Sequence, residues 1–162
     1  MKQLNEQEIL HIAASYCSLT ERCICDVHKK IRSAGASSET TERIIAHLLK
    51  EKFIDEARYC RSFVKDKFRF NHWGRNKIGY ELRAKNISDL LINEAITQID
   101  EDEYEADLFA LLKNKKRTVK GRTEQDVFAK LYRFAVSRGF ESVLIVQQLK
   151  KLFNTSFDVD MD

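Results

Sequence analysis

The chain has 162 residues, five glycines, no proline and a formal net charge of +3. That composition argues against a sheet-rich or loop-rich protein, since both need turn-forming residues in number. No run of about eighteen apolar residues could span a membrane, and the charged, amphipathic start MKQLNEQEIL is no secretory signal, so a cytoplasmic protein with reduced cysteines (17, 23, 25 and 60) is expected.

Asn5 with Glu8 forms a variant of the capping box ahead of Ile9, Ile12, Ala13 and Tyr16, which fall at helical spacing up to Cys17. A second helix is expected from Cys23 to Ser33, closed by Gly35. A third starts at Ser37 or Ser38 and carries Ile44, Ile45, Leu48 and Leu49 on one side. The same order follows in Asp55 to about Arg69, Arg75 to Lys85, and Ser88 to Ile99. It comes again in Asp102 to Asn114, Thr123 to Ser137, and Glu141 to Phe153. The turns Gly35-Ala36-Ser37, Asn86-Ile87-Ser88 and Gly139-Phe140-Glu141 superpose, and Gly and Asn are the residues that accept a left-handed turn. On this register Thr41, Ile92 and Ile145 correspond, as do Ile45, Ile96 and Leu149, and Leu48, Ile99 and Leu152. The reading is an all-α, elongated array of three tandem three-helix repeats, helix-turn-helix-like units at residues 1–54, 55–100 and 101–154, with a frayed tail at 155–162.

Charge is segregated along this array. From Ala57 to Asn86 nine Lys/Arg stand against two acids, whereas residues 87–112 hold eight acids and no Lys/Arg, and 113–122 hold six Lys/Arg and no acid. On the first helix of the middle repeat Arg58, Arg61, Lys65 and Arg69 share one side, opposite Tyr59, Cys60, Phe63 and Val64. Such a face meets phosphates or acidic side chains. Arg75, Lys77, Arg83 and Lys85 extend the candidate set. Lys113, Lys115, Lys116, Arg117, Lys120 and Arg122 form a second basic run, read as a loop joining helices. Phe68, Phe70 and Trp73 are interleaved with the basic residues. They could stack on bases, but packing at the junction of helices is the favoured reading.

The residues FIDEARYCRSFVKDKF, GRNKIGYELRAKNIS and RGFESVLIVQQL together resemble the RecX family of bacterial regulators of the RecA recombinase. The likeness covers roughly Gln7 to Phe153. It implies an all-helical, non-catalytic chain of three three-helix repeats that binds RecA and RecA–DNA filaments and inhibits ATP hydrolysis, strand exchange and co-protease activity. Two departures stand out. Cys23 occupies a position where a Ser cap is usual, and Cys caps poorly; Asn86 replaces a usual Gly.

On this reading the basic residues face DNA or filament, and the acidic Asp100, Glu101, Asp102 and Glu103 face the recombinase. Single- and double-stranded DNA are expected to bind with low sequence specificity, and the protein to be a monomer without cofactor. The Cys23-x-Cys25-x-x-His28 spacing does not suit zinc, and neither a catalytic constellation nor a Gly-rich phosphate loop is present. Two rival readings are a tandem helix-turn-helix transcription factor and a purely structural helical adaptor.

Overall fold

A computed structural model describes residues 2–153, and these form nine α-helices and no strand. In order they are α1 (Glu6–Leu19), α2 (Ile24–Ser33), α3 (Ser38–Lys50), α4 (Glu56–Arg69), α5 (Arg75–Ala84), α6 (Asp89–Ile96), α7 (Glu101–Lys116), α8 (Glu124–Ser137) and α9 (Ser142–Leu152). The expected tail at 155–162 lies outside the described residues.

The left-handed turns recur as expected, with φ of +98° at Gly35, +62° at Asn86 and +95° at Gly139. Each closes its helix with the same two hydrogen bonds. Gly35, Asn86 and Gly139 donate to Arg32, Arg83 and Val136, and the next residues, Ala36, Ile87 and Phe140, donate to Ile31, Leu82 and Ala135. This is the paired bonding of a Schellman motif. The residue after each turn is buried, which supplies the apolar contact that accompanies the motif.

Two details differ from the expected pattern. Thr41, Ile92 and Ile145 are buried, but the next recurrent buried set is Ile44, Ala95 and Gln148, one residue earlier than Ile45, Ile96 and Leu149. Of that expected set only Leu149 is fully buried. Gln148 hid this register, because a polar residue at a core position does not show in an apolar pattern. The second difference is the length of α7, which runs to Lys116 and takes Lys113, Lys115 and Lys116 out of the expected loop. Its apolar stripe Tyr104, Leu108 and Leu112 ends a turn before the helix does. The last turn is held instead by lysines over aromatic rings, Lys115 over Phe134 at 4.9 Å and Lys116 over Phe153 at 4.2 Å.

By contacts the chain divides into two units, residues 1–63 with 82–92, and 64–81 with the residues from 93 onward, so that the division falls inside α4, α5 and α6. In the first unit α1, α2 and α3 pack on one another around Ile9, Ala13, Val27, Ile31, Ile44 and Leu48. Asn5 and Glu8 make the expected capping box. Cys23 precedes α2 without a side-chain cap bond, and burial pushes its thiol up to about 11. The open N-terminus finds another acceptor: the Ile24 amide donates to the Glu56 carboxylate at 3.1 Å, and burial raises the pKa of that carboxyl.

In the second unit α7, α8 and α9 pack on one another around Leu108, Leu112, Leu131, Ala135, Ile145 and Leu149. Phe68 stacks on Tyr104 at 5.8 Å and Tyr104 meets Phe140 at 5.2 Å. The α8–α9 turn sits directly on the start of α5. Gly74 donates to the Arg138 carbonyl at 2.7 Å and Asn76 to the Gly139 carbonyl at 2.9 Å. A Cβ on Gly74 would lie 2.4 Å from the Gly139 carbonyl carbon, and one on Gly139 would lie 2.3 Å from Lys77 Cβ. Gly35, by contrast, has open space around it.

Gly35→Ala therefore carries only the left-handed penalty, about 1 kcal/mol. Gly139→Ala adds a backbone clash to that penalty, and Gly74→Ala has the clash alone. Denaturant unfolding should rank Gly139→Ala as more destabilising than Gly35→Ala, with Gly74→Ala also losing more than Gly35→Ala. Equal losses at positions 35 and 139 would show that the close approach is not maintained in solution.

Candidate nucleic-acid interface

The basic residues singled out by sequence fall into two structural classes. In the first unit Asp55 caps α4, its carboxylate accepting the Arg58 amide at 3.0 Å, and that bond is the main reason its pKa lies below the usual range. The Arg58 side chain turns to Glu21 at 2.6 Å and also donates to the Lys52 carbonyl at 3.1 Å. Lys85 pairs with Asp26 at 2.6 Å, a bond that holds its ammonium charged above the ordinary range. Arg83 pairs with Asp89 at 2.8 Å. Only Arg61 of this group is exposed without an ion pair among the described residues.

In the second unit Lys65 and Arg69, one helical turn apart on α4, are exposed and enter no ion pair among the described residues. Lys67 and Lys77 both lie over the Trp73 ring, at 4.9 and 4.5 Å. The three aromatics part company here. Phe68 is buried and Trp73 half-buried beneath its two lysines, both as packing requires, whereas Phe70 is 77% exposed.

Arg75 has a different role. Its guanidinium pairs with Glu101 and with Glu141, the latter at 2.7 Å, and lies 3.9 Å over the Tyr104 ring. The Arg75 amide donates to the Tyr104 hydroxyl at 3.0 Å, and that hydroxyl donates in turn to Glu141. Burial, followed by the bond to Glu141, pushes the Tyr104 phenol well up. Arg75 stays charged despite burial because of the two carboxylates. Sequence could not show this, since the partners lie 26 and 66 positions away.

The acidic set is also divided. Asp100 caps α7 by accepting the Glu103 amide at 2.9 Å, Glu101 holds Arg75, and Asp102 and Glu103 are exposed at the helix start, where the dipole favours them. Downstream, Asp107 pairs with His72 at 3.2 Å.

Of the second basic run, Lys113, Lys116 and Arg117 are exposed around the end of α7, and Lys115 is half-buried against Phe134. Lys120 and Arg122 are exposed in the connection to α8, where the Arg122 amide donates to Asp126 at 3.3 Å. No group of three or more His, Cys, Asp or Glu among the described residues could hold a metal ion, and no helix there is long and apolar enough to cross a membrane.

A family profile described as RecX, second three-helix domain, matches residues 55–96. A regulatory protein RecX from Prosthecochloris aestuarii is 30% identical over 152 residues, covering 94% of this chain and 98% of its own length. The chain belongs to the RecX family. The regulatory protein RecX of Clostridium tetani is 34% identical over 75% of the chain, and one from Clostridium botulinum 31% identical over 81%. The chain spans 55% and 62% of the lengths of these two clostridial relatives. The crystal structure of RecX from Lactobacillus salivarius superposes with a TM-score of 0.82 at 19% identity, covering 91% of this chain and 96% of that one, and so shares the helical repeat fold. A second RecX crystal structure does so with a TM-score of 0.79 at 23% identity, covering 90% of this chain and 73% of its own.

The division of the basic residues is testable by stability. Arg75→Gln strands Glu101, Glu141 and the Tyr104 contact and should lower unfolding free energy by about 2 kcal/mol. Lys65→Gln and Arg69→Gln, which break no ion pair, should leave the thermal midpoint unchanged. A wild-type midpoint for Arg75→Gln would mean that its guanidinium is not committed to the fold.

Proposed function

We propose that this chain is a non-enzymatic regulator that binds the RecA recombinase and its DNA filaments and inhibits ATP hydrolysis, strand exchange and co-protease activity. Membership of a regulatory family supports the reading. The observation that carries it is that Arg61, Lys65 and Arg69, at helical spacing on α4, are exposed and enter no ion pair among the described residues, because cations left without acids are available to phosphate. Asp102 and Glu103, exposed and uncommitted to the Arg75 pairing, are the acids that remain for contact with recombinase. Lys113, Lys116, Arg117, Lys120 and Arg122 add a second basic surface. The proposed organisation is three three-helix repeats, acting as a monomer in the cytoplasm by occupying the filament rather than by chemistry.

Contact of this kind reads charge and not bases, so affinity for mixed-sequence DNA, single- or double-stranded, should fall steeply as salt rises. Fluorescence anisotropy across a salt series measures this, and an affinity independent of salt would remove the phosphate-contact role.

Charge reversal divides the two surfaces. Arg61→Glu with Lys65→Glu should impair both DNA and filament binding and relieve inhibition of recombinase ATP hydrolysis and strand exchange. Asp102→Asn with Glu103→Gln, which spares the Asp100 cap and the Glu101 pair, should weaken recombinase contact while naked-DNA affinity stays equal or rises. Full inhibition by the Arg61/Lys65 variant would reduce the central basic face to solvated surface.

A further inference from the structure

The end of α7 and the end of α8 enclose an open cavity of about 300 Å³. Its lining includes three cations, Lys115, Arg117 and Arg138, with Asn114, Thr118 and Phe134, and no carboxylate. Phe134 gathers two of the cations, with Lys115 Nζ 4.9 Å and Arg138 Cζ 5.2 Å from its ring centroid. Arg138 is further fixed by donating from Nη1 to the Asn71 carbonyl at 3.2 Å, which leaves its other N–H donors for a ligand.

Basic residues at the end of a helix ordinarily complement its last carbonyls. Two of those carbonyls already have donors here. The Asn114 carbonyl accepts from the Arg117 amide at 3.3 Å, and the Lys115 carbonyl accepts from the amides of Thr118 and Val119, at 3.0 and 3.2 Å, and from the Thr118 hydroxyl at 3.1 Å. Three like charges around one cavity repel each other, and an anion inside it relieves that repulsion.

We propose that this cavity is a phosphate-binding site, with Arg117 and Arg138 as hydrogen-bonding forks, Lys115 as a point charge and the Asn114 amide as a neutral donor. Arg138 lay outside the basic runs read from sequence because it stands alone between Ser137 and Gly139. The phosphate comes from a nucleic-acid strand or from free phosphate. The strand as source rests on the DNA-binding function proposed above; the anion site itself does not.

The test uses the full chain and records the amide resonances of residues 114–118 and 134–139. It is titrated separately with inorganic phosphate and with a mixed-sequence single-stranded oligonucleotide. Oligonucleotide affinity is measured across a salt series for the wild type, Arg138→Gln and Arg117→Gln. The second variant matters because Arg138→Gln also gives up the Asn71 bond and could loosen the fold. With a strand as source, the oligonucleotide shifts these amides, each variant weakens it about fivefold, and the slope of log affinity against log salt becomes shallower by roughly 0.7 per lost contact. Shifts with inorganic phosphate alone support the site with free phosphate as its ligand, and would read the same even if the wild type bound no nucleic acid and the proposed function failed. No shift with either probe overturns the inference. Where inorganic phosphate gives no shift, so does a wild type that binds the oligonucleotide with an affinity and salt slope unchanged in both variants, an outcome that leaves the proposed function standing.

Discussion

The second unit depends on one close approach, the α8–α9 turn laid against the N-terminus of α5. Gly74 and Gly139 permit it because neither has a Cβ, and two backbone bonds, to the Arg138 and Gly139 carbonyls, hold it. These bonds also satisfy two donors at the start of α5 that would otherwise be left open, at Gly74 and Asn76. Once the turn is placed, Glu141 stands where Ser37 and Ser88 stand in the corresponding turns. Those serines cap their helices, accepting the amides of Thr40 and Leu91 at 3.2 and 3.4 Å. Glu141 does not cap α9. Its carboxylate takes Arg75 and the Tyr104 hydroxyl instead. The third repeat gives up a cap bond, typically about 1 kcal/mol, for a charged network that ties α5, α7 and the start of α9 together.

A similar exchange occurs in the first unit. Cys23 cannot cap α2, and the Glu56 carboxylate accepts the Ile24 amide in its place. Each of these two repeats has one turn whose own side chain fails to cap, and in each a carboxylate is engaged across the sequence near that turn. A local defect has become a long-range tie, which is one way in which a repeat array gains specificity over a stack of interchangeable units.

How much of this was legible depends on whether the signal was local. The left-handed turns, the nine helices and the Asn5–Glu8 box rest on residues a few positions apart, and their chemistry is visible in the chain. The core register at Gln148 was hidden because its burial is set by neighbours and not by its own polarity. The end of α7 was missed because lysine stems over Phe134 and Phe153 continue the packing where apolar residues stop. Among the candidate site residues, sequence identified the charges but could not sort them, since Arg58, Arg75 and Lys85 find partners 37, 66 and 59 positions away.

That sorting changes what the net charge of a segment means. The middle basic segment carries nine Lys/Arg against two acids, yet Arg58, Arg75, Arg83 and Lys85 are neutralised by carboxylates, and all four draw theirs from outside it. Lys67 and Lys77 are drawn to Trp73. Free charge is therefore concentrated on Arg61, Lys65 and Arg69, three positions at the four-residue spacing that puts them on one helix face. A short row of cations with regular spacing matches a repeating polyanion better than a diffuse positive patch does, because each added contact displaces another counterion along the same strand. The acids are sorted in the same way: of the eight in residues 87–112, Asp89, Glu101 and Asp107 are paired and Asp100 caps α7, while Asp102 and Glu103 stay exposed at the start of that helix. In the middle segment the fold commits six of nine cations to carboxylates or to Trp73, and the three that remain stand on α4 where packing does not need them.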